Sequence, residues 1–268
     1  MHKFLTLQHN KIRYLDAGQG YPLVFLHGYL ESLSTWEEFI QPLTKRYRII
    51  AFDIPGHGES ETLDPKHRME TLAEYIYEAL KKLNITRCIM IGHSMGGYLT
   101  LMFHHQHPEM LSGFSLFHSH PFADPEETKR KRLREIDLVK QGKKDMLAKI
   151  NIPNAFAPQN LLLLKDDVEK AKTIALNTSS QGIIANLYAM MHRPDFSDHL
   201  SKTTIPFLLI AGKYDQYIPF DTMIPRIRLP EKTTLCILEN SGHMGFVEEK
   251  EKTQDCLQQF ANSCYPIK

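Results

Sequence analysis

The sequence predicts an α/β fold, in which a mostly parallel eight-stranded sheet is flanked by helices and carries a helical lid insertion. Three observations lead to this fold class. Short apolar runs recur along the chain, longer amphipathic segments separate them, and the alternation stops in a single stretch, 121–194. Regular alternation of strands and helices is typical of a parallel sheet, because each parallel connection has to cross over the sheet.

The apolar runs predict eight strands. The first two, FLTL and KIRYLDAG, are expected to form an antiparallel pair at the start of the chain. Several of the later runs are almost continuously apolar, as buried parallel strands tend to be. In chain order, these later runs are PLVFLHG, YRIIAFDIPGHG, CIMIGHS, GFSLFHS, PFLLIAGKYD and TTLCILENSGH.

Helices are predicted between these runs. GYLTLMFHHQHPEM, after the run CIMIGHS, is predicted to be helical. METLAEYIYEALKKLN is a second example, because its apolar residues recur at helical spacing. These residues are Leu72, Ile76, Ala79, Leu80 and Leu83.

The stretch 121–194 contains no strand-like run and is rich in charged residues. We interpret it as a helical lid inserted into an α/β core formed by 1–120 and 195–268. Its first helix is expected to have Asp124 as the N-cap residue, Pro125 at the first helical position and an acidic residue, Glu127, at the third.

The charge balance argues against nucleic acid as a partner. The 268 residues include 32 Lys and Arg against 31 Asp and Glu, so the chain carries almost no net charge. The one basic run, KRKRLR, follows two glutamates at the spacing of helical ion pairs, which favours a solvated helix face. No apolar run is long enough to span a membrane, and the N-terminus lacks the apolar core of a signal peptide, so we expect a cytoplasmic protein. The sequence does not indicate an oligomeric state.

Neither the cysteines nor the histidines indicate a metal site. His118 and His120 stand two apart on a predicted strand, but two imidazoles do not complete a zinc site, and no third ligand is suggested by the spacing. The cysteines show no CxxC spacing, and we expect all of them to be reduced and structural. They are Cys88, Cys236, Cys256 and Cys264.

Residues 90–99 read MIGHSMGGYL, in which Gly92, Ser94 and Gly96 form a G-x-S-x-G motif. In this motif a strand turns sharply into a helix, and the serine lies at the apex with a strained backbone. Glycine two positions to either side removes β-carbons that would collide across the turn. The motif therefore predicts a nucleophilic serine.

A nucleophilic serine needs a base that takes its proton and an acid that orients the base. In a parallel sheet we expect both in loops that directly follow later strands. PFLLIAG leads into Asp215 and TTLCILE leads into His243, so the chain order is Ser–acid–His. Asp124, after the run GFSLFHS, is the alternative acid.

Two backbone N–H groups are expected to stabilise an oxyanion, that of Met95 directly after the serine and that of Tyr29 in the loop after the third strand. Three histidines are candidates for the substrate pocket. His93 adjoins the serine, where it is also expected to pack or form hydrogen bonds, and His118 and His120 end a strand on the same side of the sheet.

Together these motifs resemble the α/β-hydrolase superfamily, specifically its capped serine esterases and hydrolases of small substrates. The matching segments lie between about residues 10 and 260 and are FLHGY, DIPGHGES, GHSMGG, RPDFSDHL, PFLLIAGKYDQYIP and SGHMGFVEE. The resemblance implies that Asp53 through Ser60 form a structural turn near the site, so that His57 is not catalytic. It also implies that the lid largely determines the substrate.

The expected activity is that of a carboxylesterase-type serine hydrolase, which cleaves small to medium acyl esters through an acyl-enzyme and needs no cofactor. The same triad would also serve to cleave a lactone, a carbon–carbon bond of a β-diketone or an N-terminal amino-acid amide. Acyl transfer, perhydrolysis and a non-catalytic ligand receptor on the same scaffold are more distant alternatives. The expected partner is therefore a small-molecule ester or a related acyl substrate.

Overall fold

The computed structural model describes residues 2–265, and its strands form one eight-stranded sheet in the order β1-β2-β4-β3-β5-β6-β7-β8. The strands are β1 (His2–Leu7), β2 (Asn10–Ala17), β3 (Tyr21–Leu26), β4 (Tyr47–Phe52), β5 (Cys88–His93), β6 (Leu111–Phe117), β7 (Phe207–Gly212) and β8 (Thr233–Leu238). β1 and β2 form an antiparallel hairpin, β2 is antiparallel to β4, and the remaining neighbours are parallel. The predicted fold class is confirmed.

Helices occupy most of the connections. They are α1 (Glu37–Ile40), α2 (Met69–Lys82), α3 (Met95–Gln106), α4 (Glu126–Lys140), α5 (Lys144–Ala155), α6 (Lys165–Asn177), α7 (Ser180–Met191), α8 (Ser197–Ser201), α9 (Phe220–Met223), α10 (Gly245–Glu248) and α11 (Lys250–Cys264). Among residues 2–265, none of these helices has the length and apolarity to cross a membrane.

The central strands are the most deeply buried part of the sheet. Every residue of β5, β6 and β7 is buried, which explains their continuous apolar runs, because helices cover both faces of the sheet. The chain passes from β3 to β4 on one side and then returns to β5 on the other side of β3. Ligands of open α/β sheets bind at such a reversal, beside the carboxyl ends of the strands. The topology therefore predicts a ligand site at the loops after β3 and β5.

The segment between β6 and β7 contains α4 to α8 and, within the described chain, no strand. Helices α4 to α7 lie inside 121–194, and the division of the chain into a core and a lid remains a prediction. The start of α4 differs from expectation: the helix begins at Glu126 after Pro125, and no side chain caps it. Asp124 does not cap the helix because its carboxylate is bound by Arg132 and Arg193.

The expectation that all four cysteines are reduced is wrong for two of them. Cys236 on β8 and Cys256 on α11 form a disulfide, because the helix packs against the last strand with the two Cα atoms 6.5 Å apart. Cys88 and Cys264 are free. Since disulfides are rare in reducing compartments, the cytoplasmic location remains a prediction.

Candidate active site

Ser94 lies at the corner between β5 and α3, with φ of 49° and ψ of −114°. A side chain at positive φ is strained, and here the strain is held by hydrogen bonds on both sides of the serine. The Ser94 N–H donates to the Phe117 carbonyl at 2.9 Å, and the Ser94 carbonyl accepts from the Ser119 hydroxyl at 2.8 Å. The corner therefore keeps the hydroxyl outside both the strand and the helix.

The flanking glycines are required by close backbone contacts. A Cβ at Gly92 would lie 2.3 Å from the Gly96 carbonyl oxygen, and one at Gly96 would lie 2.3 Å from the Leu26 carbonyl oxygen. Both obstacles are backbone atoms, which have little freedom to move. The two glycines thus allow β3, β5 and α3 to meet at the corner.

We expect Gly96→Ala to lower the free energy of unfolding by about 3 kcal/mol, the upper end for an overpacked site, because the new methyl group meets the end of β3. Urea unfolding measures the change. Gly142→Ala is the control, since Gly142 has a φ of 76° but a Cβ added there would meet no atom within 4 Å. That variant should lose only about 1 kcal/mol from backbone strain. Equal losses in the two variants would contradict the steric explanation.

Asp215 and His243 are joined by a short hydrogen bond, with 2.7 Å between the Asp215 Oδ2 and His243 Nδ1 atoms. Both residues are buried, in the loops that follow β7 and β8. Burial alone would lower the pKa of His243, but the adjacent Asp215 carboxylate raises it above its ordinary value. The imidazole is therefore oriented by a carboxylate and stabilised as a cation when it takes up a proton.

The Asp215 carboxylate is held by three hydrogen bonds, one of them from His243, and lies beside a second imidazole, that of His118. Its Oδ1 atom accepts the backbone N–H groups of Tyr217 and Ile218, both at 2.9 Å, and His118 Nδ1 lies 3.3 Å from Oδ2, the oxygen bound by His243. Burial alone would raise the pKa of Asp215, but the two imidazoles hold it well below its ordinary value. The carboxylate stays ionised beside His243 throughout the neutral range.

His118 is a partner of the acid and does not line the pocket, which corrects our expectation. It is buried after the end of β6, where its Nε2 atom accepts the Gly245 N–H at 3.2 Å and its Nδ1 atom lies 3.3 Å from both the Gly212 nitrogen and Asp215 Oδ2. Burial lowers its pKa to about 4, so the ring is neutral at pH 7. His118, Asp215 and His243 bring ligand atoms within 4.8 Å of one another, which is close enough for a metal ion. In this structure the Asp215 and His243 atoms are joined by a hydrogen bond.

The loop after β3 presents its backbone toward the same site. Within residues 2–265, the N–H groups of Tyr29 and Met95 donate to no protein group. Met95 is the first residue of α3, so the positive end of the helix adds to its N–H. Leu30 has a φ of 61°, which turns the loop back after Tyr29. Tyr29 lines the same cavity as Ser94, and Met95 directly follows Ser94 in the chain, so these two N–H groups remain the candidates for an oxyanion site.

A buried glutamate and His93 fix this loop against the loop that carries the base. The Glu31 Oε2 atom accepts the Gly28 N–H at 2.7 Å and lies 3.1 Å from His93 Nδ1, while His93 Nε2 lies 2.8 Å from the His243 carbonyl oxygen. Burial opposes ionisation of Glu31, but His93 and the Gly28 N–H outweigh it and lower its pKa. The His93 ring therefore connects the Tyr29 loop to the His243 loop.

His93 itself does not reach the substrate space, which corrects the second pocket expectation. Its side chain has no exposed surface, and it lies behind the serine among Trp36, Phe117 and Phe246. His93, next to the serine, thus supports the Tyr29 loop and the His243 loop.

A cavity of about 540 Å³ opens in front of the serine. The loops after the strands contribute Tyr29, Glu31, Ser94, Tyr217 and His243. The segment 121–194 closes the other side with Asp124, Arg132, Glu135, Asn151, Ile152 and Met190. Of the three candidate pocket histidines, only His120 lines this cavity.

Residues 21–250 match the family model for the alpha/beta hydrolase fold. The chain belongs to this family. Its relatives include the AB hydrolase superfamily protein YisY of Bacillus subtilis, 28% identical over 98% of this chain and 99% of that protein.

Solved structures of other proteins superpose on almost the whole of this chain. A thermophilic esterase from Thermogutta terrifontis has a TM-score of 0.93 at 22% identity and covers 99% of both chains. An esterase from Exiguobacterium antarcticum has a TM-score of 0.84 at 27% identity, covering 98% of this chain and all of that one. Hydrolases and esterases recur among these similar proteins, so the chain is an α/β-hydrolase enzyme.

Asp124, the alternative acid of the hydrolase, lies in the cavity wall but is not directed at the base. Its Oδ2 atom binds the Arg132 Nε atom at 2.5 Å, and its Oδ1 atom binds the Arg193 Nη1 atom at 2.7 Å. The two guanidinium groups occupy both carboxylate oxygens. Asp215 is the acid that the structure brings to His243.

His57 lies in the turn that the family resemblance implied to be structural. The ring is fully buried, and burial lowers its pKa well below the ordinary value. The start of the turn is attached to the Tyr29 loop of the hydrolase, because the Ile54 N–H donates to His27 Nε2 at 2.9 Å. His57 does not line the cavity.

Proposed function

We propose that this hydrolase is a serine carboxylesterase that uses Ser94, His243 and Asp215. The observation that carries the proposal is that a strained serine and an Asp-bound histidine line one cavity. The Tyr29 N–H belongs to another lining residue, and the Met95 N–H directly follows the serine. A polarised carbonyl group of about the size of an ester is the kind of substrate that this combination serves.

Acylation follows from the positions of these groups. Within residues 2–265, the His243 Nε2 atom has no protein partner, so it is free to take the proton of the Ser94 hydroxyl. The Ser94 oxygen then bonds to the ester carbonyl carbon, and the negative charge on the former carbonyl oxygen is bound by the Tyr29 and Met95 N–H groups. His243 next donates its proton to the departing alkoxide, which leaves as an alcohol.

Deacylation repeats these steps with water. His243 takes a proton from a water molecule, whose oxygen bonds to the acyl carbon, and the same two N–H groups bind the second oxyanion. His243 returns the proton to the Ser94 oxygen as the carbon–oxygen bond breaks, releasing the acid. In both halves Asp215 stays ionised and stabilises the imidazolium.

A fluorophosphonate probe tests the nucleophile directly. We expect one phosphonyl group per chain on the peptide that contains Ser94, because the probe reacts with a serine that a base has activated. Protein unfolded in urea is the control and should remain unlabelled. Labelling of a different serine, or equal labelling of the unfolded chain, would contradict the assignment.

The type of bond is tested with matched substrates. We expect p-nitrophenyl esters with short and medium acyl chains to be turned over faster than a lactone, a β-diketone or an aminoacyl amide. Faster turnover of one of the other three substrates would leave the triad assignment unchanged, but the bond that the enzyme prefers to cleave would not be a carboxylic ester. Absence of both turnover and labelling would favour a non-catalytic ligand receptor instead.

A further inference from the structure

The far wall of the cavity carries more positive than negative charge. Arg132 on α4 lines the cavity and shares the carboxylate of Asp124 with Arg193, which lies two residues beyond the end of α7 and contacts Asp124 from behind the cavity lining. One negative charge thus faces two permanent positive charges in a buried setting. Glu135 and Lys131 also line the cavity, so the group keeps one positive charge in excess; burial raises the pKa of Glu135, and Arg132 opposes that change.

The same excess of positive charge affects the pKa of His120. It lines the cavity beside Tyr98, and its pKa is lowered to about 3, first by burial and then by Arg193, with Arg132 adding to the effect. Asp124 opposes this change but does not cancel it. The imidazole therefore stays neutral at pH 7 and does not add to the charge.

Arg132 keeps part of its guanidinium group available. Its Nε atom is bound closely by Asp124, and the Nη2 contact with the same carboxylate is long, 3.4 Å. Within residues 2–265, the Nη1 group donates to no protein acceptor, and the side chain retains 16% of its exposure where it lines the cavity. Arg193 differs, because its guanidinium lies under the Tyr98 ring and donates to the carbonyls of Phe122 and Met190.

We propose that this wall is an anion subsite, and that the preferred substrate of the hydrolase is an ester whose far end carries a carboxylate bound by Arg132. The proposal rests on the ester hydrolysis proposed above, with Ser94 and Arg132 at different walls of the same cavity. A planar guanidinium with free N–H groups matches a carboxylate in shape as well as charge. A neutral ester would leave the excess charge without a partner in a site of low dielectric.

Isosteric ester pairs test the proposal. The monomethyl esters of succinate, glutarate and adipate are compared with the same esters in which the free carboxylate is a carboxamide. For the chain length that fits the cavity, we expect kcat/KM to be at least about tenfold higher for the carboxylate, mainly through a lower KM. Equal values for acid and amide at all three lengths would overturn the proposal.

Arg132→Gln should lower kcat/KM for the carboxylate ester by about 10- to 100-fold and leave that for the amide within about threefold. The fold should survive, because Asp124 keeps its bond to Arg193. Arg134→Gln is the matched control, since it removes the same charge from an exposed position of α4 outside the cavity. Arg132→Lys should keep part of the preference for the carboxylate ester over the amide that Arg132→Gln loses. Equal losses for the acid and the amide in Arg132→Gln would overturn the proposal.

Binding without turnover separates this inference from the proposed function. In Ser94→Ala, monomethyl glutarate should raise the melting temperature, the amide should not, and adding Arg132→Gln should abolish the rise. A rise that persists in the double variant, or no rise with any of the three carboxylate esters, would refute the subsite. If wild type fails to hydrolyse p-nitrophenyl acetate but Ser94→Ala shows the rise with monomethyl glutarate, the esterase proposal fails while the subsite stands.

Discussion

Replacing Ser94 with alanine is expected to lower kcat for a p-nitrophenyl ester by about 10⁵- to 10⁶-fold, because no acyl-enzyme forms without the hydroxyl. The remaining rate would come from binding and from the two N–H groups of the oxyanion site. Alanine keeps the positive φ of the corner, so the strain is unchanged and the fold should persist. Steady-state turnover, with circular dichroism of the same sample, measures both quantities.

Ser115→Ala is the matched control for this variant. Ser115 is a fully buried serine on β6, directly across from Ile91 of β5, and its hydroxyl has no hydrogen-bond partner within residues 2–265. Removal of this hydroxyl should leave kcat for the p-nitrophenyl ester within about twofold of the wild-type value, because the hydroxyl contacts neither the corner at Ser94 nor the cavity. If Ser94→Ala kept the wild-type rate, the nucleophile would lie elsewhere.

The strands and the triad are accessible from the sequence because each leaves a local signal. An apolar run marks a buried strand, three glycines mark the corner at Ser94, and the ends of the runs bring Asp215 and His243 to one edge of the sheet. These inferences need only the periodicity of the chain and the topology of a parallel sheet. The roles of the three residues stay a proposal until the variants are measured.

The residues that support the site cannot be predicted from the sequence in the same way. Glu31 follows the Tyr29 loop by two positions, and only the packed structure shows that it binds Gly28 and His93 together. His118 stands out in the sequence for its position at a strand end, but only the structure shows its backbone φ of 45° and its Nδ1 atom 3.3 Å from Asp215 Oδ2. Such contacts join residues far apart in the chain, and residue spacing does not encode them.

The segment 121–194, predicted to be a lid, is a second case in which the sequence does not reveal the contacts. Charge and the lack of strand-like runs predict its helices, whereas the partition of Asp124 between Arg132 and Arg193 depends on how α4 packs against α7. From its place in the sequence, Asp124 is expected to cap a helix or to serve as the alternative acid. The same residue instead organises the charges of the cavity wall.

Asp215→Asn is expected to lower kcat for a p-nitrophenyl ester by about 10⁴-fold, because the amide does not stabilise the imidazolium and favours the wrong tautomer of His243. The pH profile should change as well. Activity needs neutral His243, so the wild-type rate falls as the pH drops through the raised pKa of that residue. Without the carboxylate, burial would lower this pKa, and the acid limb of the residual activity should move to lower pH.

Asp124→Asn distinguishes the two acids. Its carboxylate neutralises two buried guanidinium groups, so we expect a loss of about 3–5 kcal/mol in the free energy of unfolding and turnover of the neutral ester within about tenfold of wild type. Asp215→Asn should show the opposite balance, with a large loss of rate and a shifted acid limb. If Asp124→Asn were inactive at a temperature where it is folded, and Asp215→Asn kept its rate, the acid would be Asp124. What separates the two carboxylates is which side chains each one binds: Asp215 lies behind the base that lines the cavity and binds it, whereas Asp124 lies in the cavity wall and binds the arginines.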